Sequence, residues 1–149
     1  MGKDIRRVPR APPPTSDAAR LAMRGNTRTN TKPELAVRRL LHHLGYRYRL
    51  HAIDLPGKPD IVFRKRKAVL FVHGCFWHQH PSSTCRLRSV PRSNAEYWRA
   101  KLMRNVERDT EHRAKLNALG WRTLIVWECE TGDLNALGAK LRSFLDKAR

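Results

Sequence analysis

Acidic residues are scarce in this chain of 149 residues, in which 13 Asp and Glu stand against 31 Lys and Arg, for a formal net charge of +18. No apolar run approaches the roughly 20 residues that span a bilayer, and the first residues lack the apolar stretch of a secretory signal. We therefore expect a soluble cytoplasmic protein with no membrane partner. The basic residues are spread along the whole chain rather than gathered on one amphipathic helix, which favours a nucleic-acid partner.

Cysteine is also scarce. The chain has three cysteines, an odd number that excludes a complete disulfide framework. Free thiols in a reducing compartment are buried, reactive or bound to metal, and their spacing must distinguish these cases. Hydrophobic residues make up 40% of the chain, which is enough for a folded core at a length typical of one domain.

The first 30 residues differ in composition from the rest. Residues 1–30 are basic, contain the stiff run Ala11–Pro14 and have few large apolar side chains. They are predicted to form a flexible N-terminal arm, either a disordered tail or a segment that follows DNA phosphates and becomes ordered on binding. Residues 31–149 are predicted to form a single domain.

Periodicity within residues 31–149 predicts an α/β fold. Capping-box patterns at Thr31–Glu34 and Ser93–Glu96 are expected to open two helices, the second with an apolar stripe of Trp98, Leu102 and Val106. A third helix is expected near the C-terminus. Alternation and short apolar runs predict strands over 46–50, 61–63, 68–72 and 124–127. The expected architecture is a small central mixed sheet flanked by helices.

The three cysteines have metal-ligand spacing. Four residues separate Cys75 from His80 and His80 from Cys85, and Cys129 directly follows the last predicted strand. Three thiolates and one imidazole make a closed tetrahedral set of the kind that structural zinc favours. The alternative is that the cysteines are small core residues and the histidines lie at the surface.

A second group of residues has the chemistry of phosphodiester hydrolysis. Asp60 begins one predicted strand and His73 ends its neighbour, so an antiparallel pairing would bring them together. A carboxylate there suits Mg²⁺, a neutral His73 or His78 can take a proton from water, and Asp109 can orient a histidine. Considered singly, each of these residues also has a purely structural interpretation. Asp60 suits a turn, and Asp109 suits an ion pair. His73 suits a position in the core, and Glu34 suits no more than the capping box of its helix.

Several motifs together resemble one known family, the very-short-patch-repair mismatch endonucleases. The motifs occur in the same order over roughly residues 20–130, and the most specific is Val72–His78 joined to Trp127–Cys129. The remaining motifs are Leu55–Asp60, Asn105–Asp109 and Gly120–Arg122. The resemblance implies a fold similar to type II restriction endonucleases. It also implies nicking of the strand 5′ to the thymine of a T:G mismatch left by deamination of 5-methylcytosine.

The resemblance implies roles for the acidic and histidine residues. Asp60 and the backbone carbonyl of Val72 would bind the catalytic Mg²⁺. His78 would be the base that activates water, with Asp109 as its partner. His73 would act near the scissile phosphate, and Glu34 would complete the acidic surround.

The resemblance also implies a structural Zn²⁺ and a set of DNA contacts. The zinc ligands would be Cys75, His80, Cys85 and Cys129. The aromatic side chains of Phe76, Trp77 and Trp98 would wedge into the base stack beside the mismatch, and Met23 would enter from the opposite groove.

The expected partner is double-stranded DNA carrying a T:G mismatch, with mismatch-repair proteins as further candidates, and the expected state is a monomer at the nucleoid. Two alternatives use the same residues differently. A zinc-stabilised, non-catalytic DNA-binding module would explain the charge and the Cys/His set but leave Asp60 and His78 unused. A hydrolase with a catalytic zinc would need an open coordination position, against which four available ligands argue.

Overall fold

A mixed four-stranded sheet organises the domain. The structure, a computed structural model, describes residues 30–147. The strands are β1 (Arg49–Leu50), β2 (Ile61–Phe63), β3 (Ala68–His73) and β4 (Arg122–Trp127), and they lie in that order across the sheet. The pairings β1–β2 and β2–β3 are antiparallel, whereas β3 and β4 are parallel.

Three helices in the described residues cover the two faces of the sheet. They are α1 (Lys32–His43), α2 (Ala95–Ala118) and α3 (Leu134–Leu145). Two short 3₁₀ turns lie at Arg86–Arg88 and Glu128–Gly132. The expected mixed sheet flanked by helices is confirmed, and the long helix α2 supplies the crossover that two parallel strands require. Within residues 30–147, no helix combines the length and apolar character needed to cross a bilayer.

The core has two parts because successive strand residues point to opposite faces of the sheet. On one face Ile61, Phe63 and Leu70 pack with side chains of α1 and α3. On the other face Val62 and Val69 pack with Leu116 of α2. His73 follows Val69 and Phe71 in the alternation, so its side chain belongs to the face that α2 covers.

The predicted strand over 46–50 is wrong in extent, since only Arg49 and Leu50 pair with a neighbouring strand. Continued from the Arg49–Val62 pair, the register places Tyr46 beyond the end of β2 and Tyr48 opposite Phe63, the last residue of β2, where the ladder has already ended. These two tyrosines instead pack edge-on against Phe63 in the core.

The two predicted capping boxes behave differently. At α1 the hydroxyl of Thr31 accepts from the Glu34 N–H at 3.4 Å, but the Glu34 carboxylate accepts from the backbone N–H of Asn30, at 2.8 Å. At α2 the box is absent, because the N-cap is Asn94 in a left-handed conformation with no described side-chain cap. The buried face of α2 consists of Tyr97, Leu102 and Leu116. The expected apolar stripe of Trp98, Leu102 and Val106 is therefore correct for Leu102 but wrong for Trp98 and Val106, which are not among the buried residues of the helix.

Candidate active site

The carboxylate of Asp60 lies where β2 and β3 meet the start of α1. Its Oδ2 accepts a hydrogen bond from the backbone N–H of Val72 at 2.8 Å, which ties the first residue before β2 to the end of β3. Burial raises the pKa of Asp60 from its ordinary 3.8 to about 6, opposed by the Val72 hydrogen bond, and the nearby charge of Glu34 raises it further. A desolvated, negatively charged carboxyl group of this kind gains from a bound cation.

Glu34 is deeply buried, with 1% of its surface exposed. Its carboxylate accepts from the Arg38 guanidinium at 2.6 Å and from His51 Nε2–H at 2.7 Å, besides the N–H of Asn30. The donor atoms of Glu34, His51 and Asp60 lie within 4.8 Å of one another. Glu34 is already satisfied by three donors, so Asp60 is the carboxylate that remains for a hard cation.

His51 is the residue of this group that the sequence analysis missed. It follows β1 directly, its backbone is in the left-handed region at φ 48°, and its N–H donates to the carbonyl of Asp60. The signal that could have found it is the period-two alternation over residues 46–50. Extended to residue 51, the antiparallel pairing with the strand that follows Asp60 places the two residues side by side.

His73 and His78 form a parallel ring pair beside Asp109 of α2. Their ring centroids are 3.7 Å apart with planes 7° from parallel, and His78 Nδ1–H donates to the Asp109 carboxylate at 2.6 Å. This hydrogen bond leaves the Nε2 lone pair of His78 free to accept a proton. The Val72 N–H that holds Asp60 directly precedes His73, so the carboxylate and the histidine pair both lie at the end of β3.

His73 is a neutral imidazole. It is 4% exposed, and burial together with the neighbouring His78 lowers its pKa from 6.5 to about 3. Its Nδ1 accepts no hydrogen bond from any residue between 30 and 147. The donor atoms of His73, His78 and Asp109 lie within 4.8 Å of one another. An imidazole binds metal in its ring plane, however, so two stacked parallel rings are not arranged to share one ion.

The four predicted zinc ligands come together. The ligand atoms of Cys75, His80, Cys85 and Cys129 lie within 4.8 Å of one another, and His80 Nδ1 is 3.8 Å from Cys75 Sγ and 3.5 Å from Cys129 Sγ. Zn–S and Zn–N bonds of about 2.3 and 2.0 Å in a tetrahedron give an S···N edge of roughly 3.6 Å. Burial raises the pKa of the Cys75 thiol to about 12, so a cation is needed to hold it as a thiolate. The donor set therefore fits zinc.

Phe76, Trp77 and Trp98 form a half-buried aromatic cluster. Their ring centroids are 5.0 to 5.8 Å apart in edge-to-face arrangements. The Lys101 ammonium lies 5.4 Å from the centre of the Trp77 ring and 5.7 Å from that of Trp98. Trp98 therefore belongs to this cluster, while its neighbour Tyr97 is the residue that enters the core. Met23, the remaining predicted DNA contact, lies outside the described residues, as do residues 1–29 of the predicted arm.

Comparisons with known proteins give a consistent result. Residues 15–84 match the family model described as DNA mismatch endonuclease Vsr. The type II nicking enzyme V.XorIIP of Xanthomonas oryzae is 56% identical over 117 residues, which is 78% of this chain and 84% of that protein. The DNA mismatch endonuclease Vsr of Escherichia coli is 43% identical over 107 residues, covering 72% of this chain and 67% of that protein.

The fold also has a solved counterpart. The homing endonuclease I-Bth0305I catalytic domain superposes with a TM-score of 0.54 at 19% identity, covering 77% of this chain and 94% of that chain. At this identity the likeness establishes the fold alone, which is that of an endonuclease catalytic domain, in line with the fold expected from the resemblance. By the family-model match and the identity to these relatives, the chain belongs to the Vsr DNA mismatch endonuclease family.

Proposed function

We propose that this protein nicks one strand of duplex DNA 5′ to the thymine of a T:G mismatch, with Mg²⁺ as catalytic cofactor and Zn²⁺ as structural metal. Membership of the Vsr family supports endonuclease activity on mismatched DNA. The single observation that carries the mechanism is the placement of two groups at the end of β3. Asp60 is held by the Val72 N–H, and the next residue, His73, stacks on His78, which lies in a 2.6 Å hydrogen bond with Asp109.

Asp60 and the backbone carbonyl of Val72 would hold the magnesium ion. Magnesium bound there would neutralise charge on the scissile phosphate. The protein contributes the rigid position of the Asp60 side chain, which the Val72 N–H fixes at 2.8 Å. Glu34 keeps a second negative charge nearby, held in place by its bonds to Arg38, His51 and Asn30. This buried charge supports the attraction of a cation to Asp60.

His78 acts as the general base. Asp109 holds the Nδ1–H tautomer, so the Nε2 atom of His78 keeps a free lone pair and takes a proton from the attacking water. A cavity of about 520 Å³ adjoins both imidazoles between α2 and β4, which gives water a route to His78. His73, neutral because it is buried, supplies an uncharged polar ring near the scissile phosphate.

The aromatic cluster supports mismatch recognition. Phe76, Trp77 and Trp98 present half-exposed rings next to Lys101. Inserting aromatic side chains between base pairs costs a few kcal/mol of unstacking, and the cost is lower at a poorly paired step. Met23 would enter the opposite groove. We expect a monomer that works at the nucleoid in the cytoplasm, with mismatch-repair proteins as further partners.

A nicking assay tests the proposal. Wild-type protein, Asp60→Ala and the control Asp54→Ala are incubated with Mg²⁺ and end-labelled duplexes carrying T:G, other mismatches or T:A. Asp54 is a matched control because it lies in the same loop but is exposed and paired with Arg64. We expect the wild type and Asp54→Ala to nick the T:G duplex 5′ to the thymine, and Asp60→Ala to leave it intact.

The alternatives have distinct outcomes in the same assay. A wild type that binds the T:G duplex but leaves it uncut with every divalent ion would identify a zinc-stabilised DNA-binding module. Full nicking by Asp60→Ala, with activity lost only on removal of zinc from the folded protein, would identify a zinc hydrolase. Equal nicking of T:G and T:A duplexes would refute the mismatch specificity.

A further inference from the structure

Four aromatic rings connect the zinc ligands to the proposed general base. The His80 ring stacks on Trp127, with centroids 4.4 Å apart and planes at 17°. The edge of Trp127 meets His73 at 5.4 Å and 73°. His73 in turn stacks on His78, whose Nδ1–H donates to Asp109. We define the ring series as His80, Trp127, His73 and His78.

The backbone of Trp127 is held in place by its pairing with β3 and by a hydrogen bond to Glu130. In the parallel pairing of β3 and β4 it is the register partner of His73. Its backbone N–H donates to Glu130 Oε1 at 3.0 Å, and both oxygens of that carboxylate accept from Lys140 of α3 at 2.8 Å. Cys129, a zinc ligand, follows two residues later. The indole is therefore held between the sheet and the zinc-binding turn.

The packing of Trp127 differs from that of a core tryptophan. The side chain is half-buried and belongs to neither of the two hydrophobic clusters formed by the described residues, whereas Trp121 packs into the cluster under α2. The ring contacts of Trp127 are instead with His73 and His80. The contacts of the Trp127 side chain with His73 and His80, rather than packing in the core, therefore explain its position.

The orientation of His73 depends on packing, because its Nδ1 has no hydrogen-bond partner among residues 30–147. The neighbouring rings of Phe71, Trp127 and His78 therefore confine it. His73 in turn forms the surface on which His78 stacks. A displaced Trp127 would release His73, and His78 would lose one of the two contacts that orient it.

We propose that Trp127 is a positioning residue that couples the zinc site to the catalytic histidines, so that the zinc-bound His80 fixes the His73–His78 stack in the geometry that proton transfer requires. This inference rests on the proposed nicking function. Aromatic pairs of this geometry favour defined orientations. A misplacement of about 1 Å in a catalytic group costs on the order of 100-fold in rate.

The test uses full-length, zinc-loaded protein with Trp127→Leu, Trp127→Phe and the control Trp121→Leu. Zinc per chain, thermal stability, affinity for the T:G duplex and the single-turnover nicking rate with saturating Mg²⁺ are measured for each. We expect Trp127→Leu to keep its zinc and its DNA affinity but to nick about 10- to 100-fold more slowly. Trp127→Phe, which restores a ring, should recover most of the rate, and Trp121→Leu should nick at the wild-type rate.

A second variant tests the contribution of the His80 ring separately from that of the bound zinc. His80→Cys keeps four ligands for zinc but removes the ring that stacks on Trp127. We expect it to bind zinc and to nick slowly, as Trp127→Leu does. A readout independent of nicking is the NMR spectrum of the histidine ring protons. In both variants the His73 and His78 resonances should move, although the His78 ring stacks on His73 and the rings of Trp127 and His80 contact each other and His73.

Three outcomes overturn the inference. The first is that Trp127→Leu nicks at the same rate as Trp121→Leu. The second is that the nicking rate of Trp127→Leu falls only in proportion to the zinc or the folded protein that the variant has lost. The third is zinc-loaded His80→Cys with wild-type nicking and unmoved His73 and His78 resonances. A wild type that leaves the T:G duplex uncut refutes the proposed function instead, and the ring-proton spectra then decide the coupling by themselves.

Discussion

Replacing Asp60 with asparagine should stabilise the magnesium-free protein while abolishing its nicking activity. Burial, with a contribution from Glu34, raises the pKa of Asp60 from 3.8 to about 6. The ionised carboxylate is therefore less stable in the folded protein than in the unfolded chain. Two pKa units at about 1.36 kcal/mol each correspond to a cost of roughly 3 kcal/mol. Asparagine removes the charge and keeps an oxygen that can accept from the Val72 N–H.

Because the pKa of Asp60 is higher in the folded protein than in the unfolded chain, the stability gained by Asp60→Asn increases with pH. Below pH 3.8 the carboxyl group is protonated in both states and the substitution gains nothing from charge removal. Between pH 3.8 and about 6 the unfolded chain releases its proton while the folded protein retains it. The advantage of Asp60→Asn grows over that range and is complete above it, so we expect about 3 kcal/mol at pH 8 and roughly half of that at pH 5.

Urea unfolding in zinc-containing, magnesium-free buffer at pH 5 and pH 8 measures this difference, with Asp54→Asn as control. Asp54 is exposed and its hydrogen bond to Arg64 lowers its pKa, so its substitution should give no gain at either pH. Adding millimolar Mg²⁺ should then stabilise the wild type but not Asp60→Asn, because only a folded-state carboxylate site binds the ion. An Asp60→Asn variant no more stable than wild type at pH 8, or stabilised equally by Mg²⁺, would refute this reasoning.

Three further substitutions have defined outcomes. Cys129→Ser should lower the free energy of unfolding by several kcal/mol, because structural zinc contributes to folding; an unchanged melting temperature with zinc bound would contradict this. Phe76→Ala should reduce the preference for T:G over T:A duplex about tenfold, since one aromatic–base stack contributes ~1–3 kcal/mol; equal losses on both duplexes would argue against a wedge. Asp109→Asn should slow single-turnover nicking by about 100-fold or more with unchanged DNA affinity, because the amide no longer holds the Nδ1–H tautomer of His78; a wild-type rate would exclude Asp109 as its orienting partner.

Local sequence patterns predicted most of the architecture. Apolar runs located β2, β3 and β4 to within a residue or two, since a strand buried on both faces needs continuous apolar side chains. Helix α1 begins at its predicted cap, Thr31. The errors lie where tertiary partners decide the outcome. β1 is short because its pairing with the three-residue β2 ends at the Arg49–Val62 pair, and the start of α2 depends on a left-handed Asn94 that no capping pattern specified.

The sequence by itself determined the chemistry available to this protein: a basic chain, one closed Cys/His set and a few acids and histidines in motifs of one endonuclease family. Only the tertiary structure decided which of these groups act on one another. It satisfied Glu34 with three donors, brought His51 beside Asp60, and placed Trp127 between the rings of His80, a proposed zinc ligand, and His73. Spacing along the chain specifies which side chains share a strand or a helix face. Desolvation and ring stacking depend on which elements pack together, and that is fixed only when the whole domain folds.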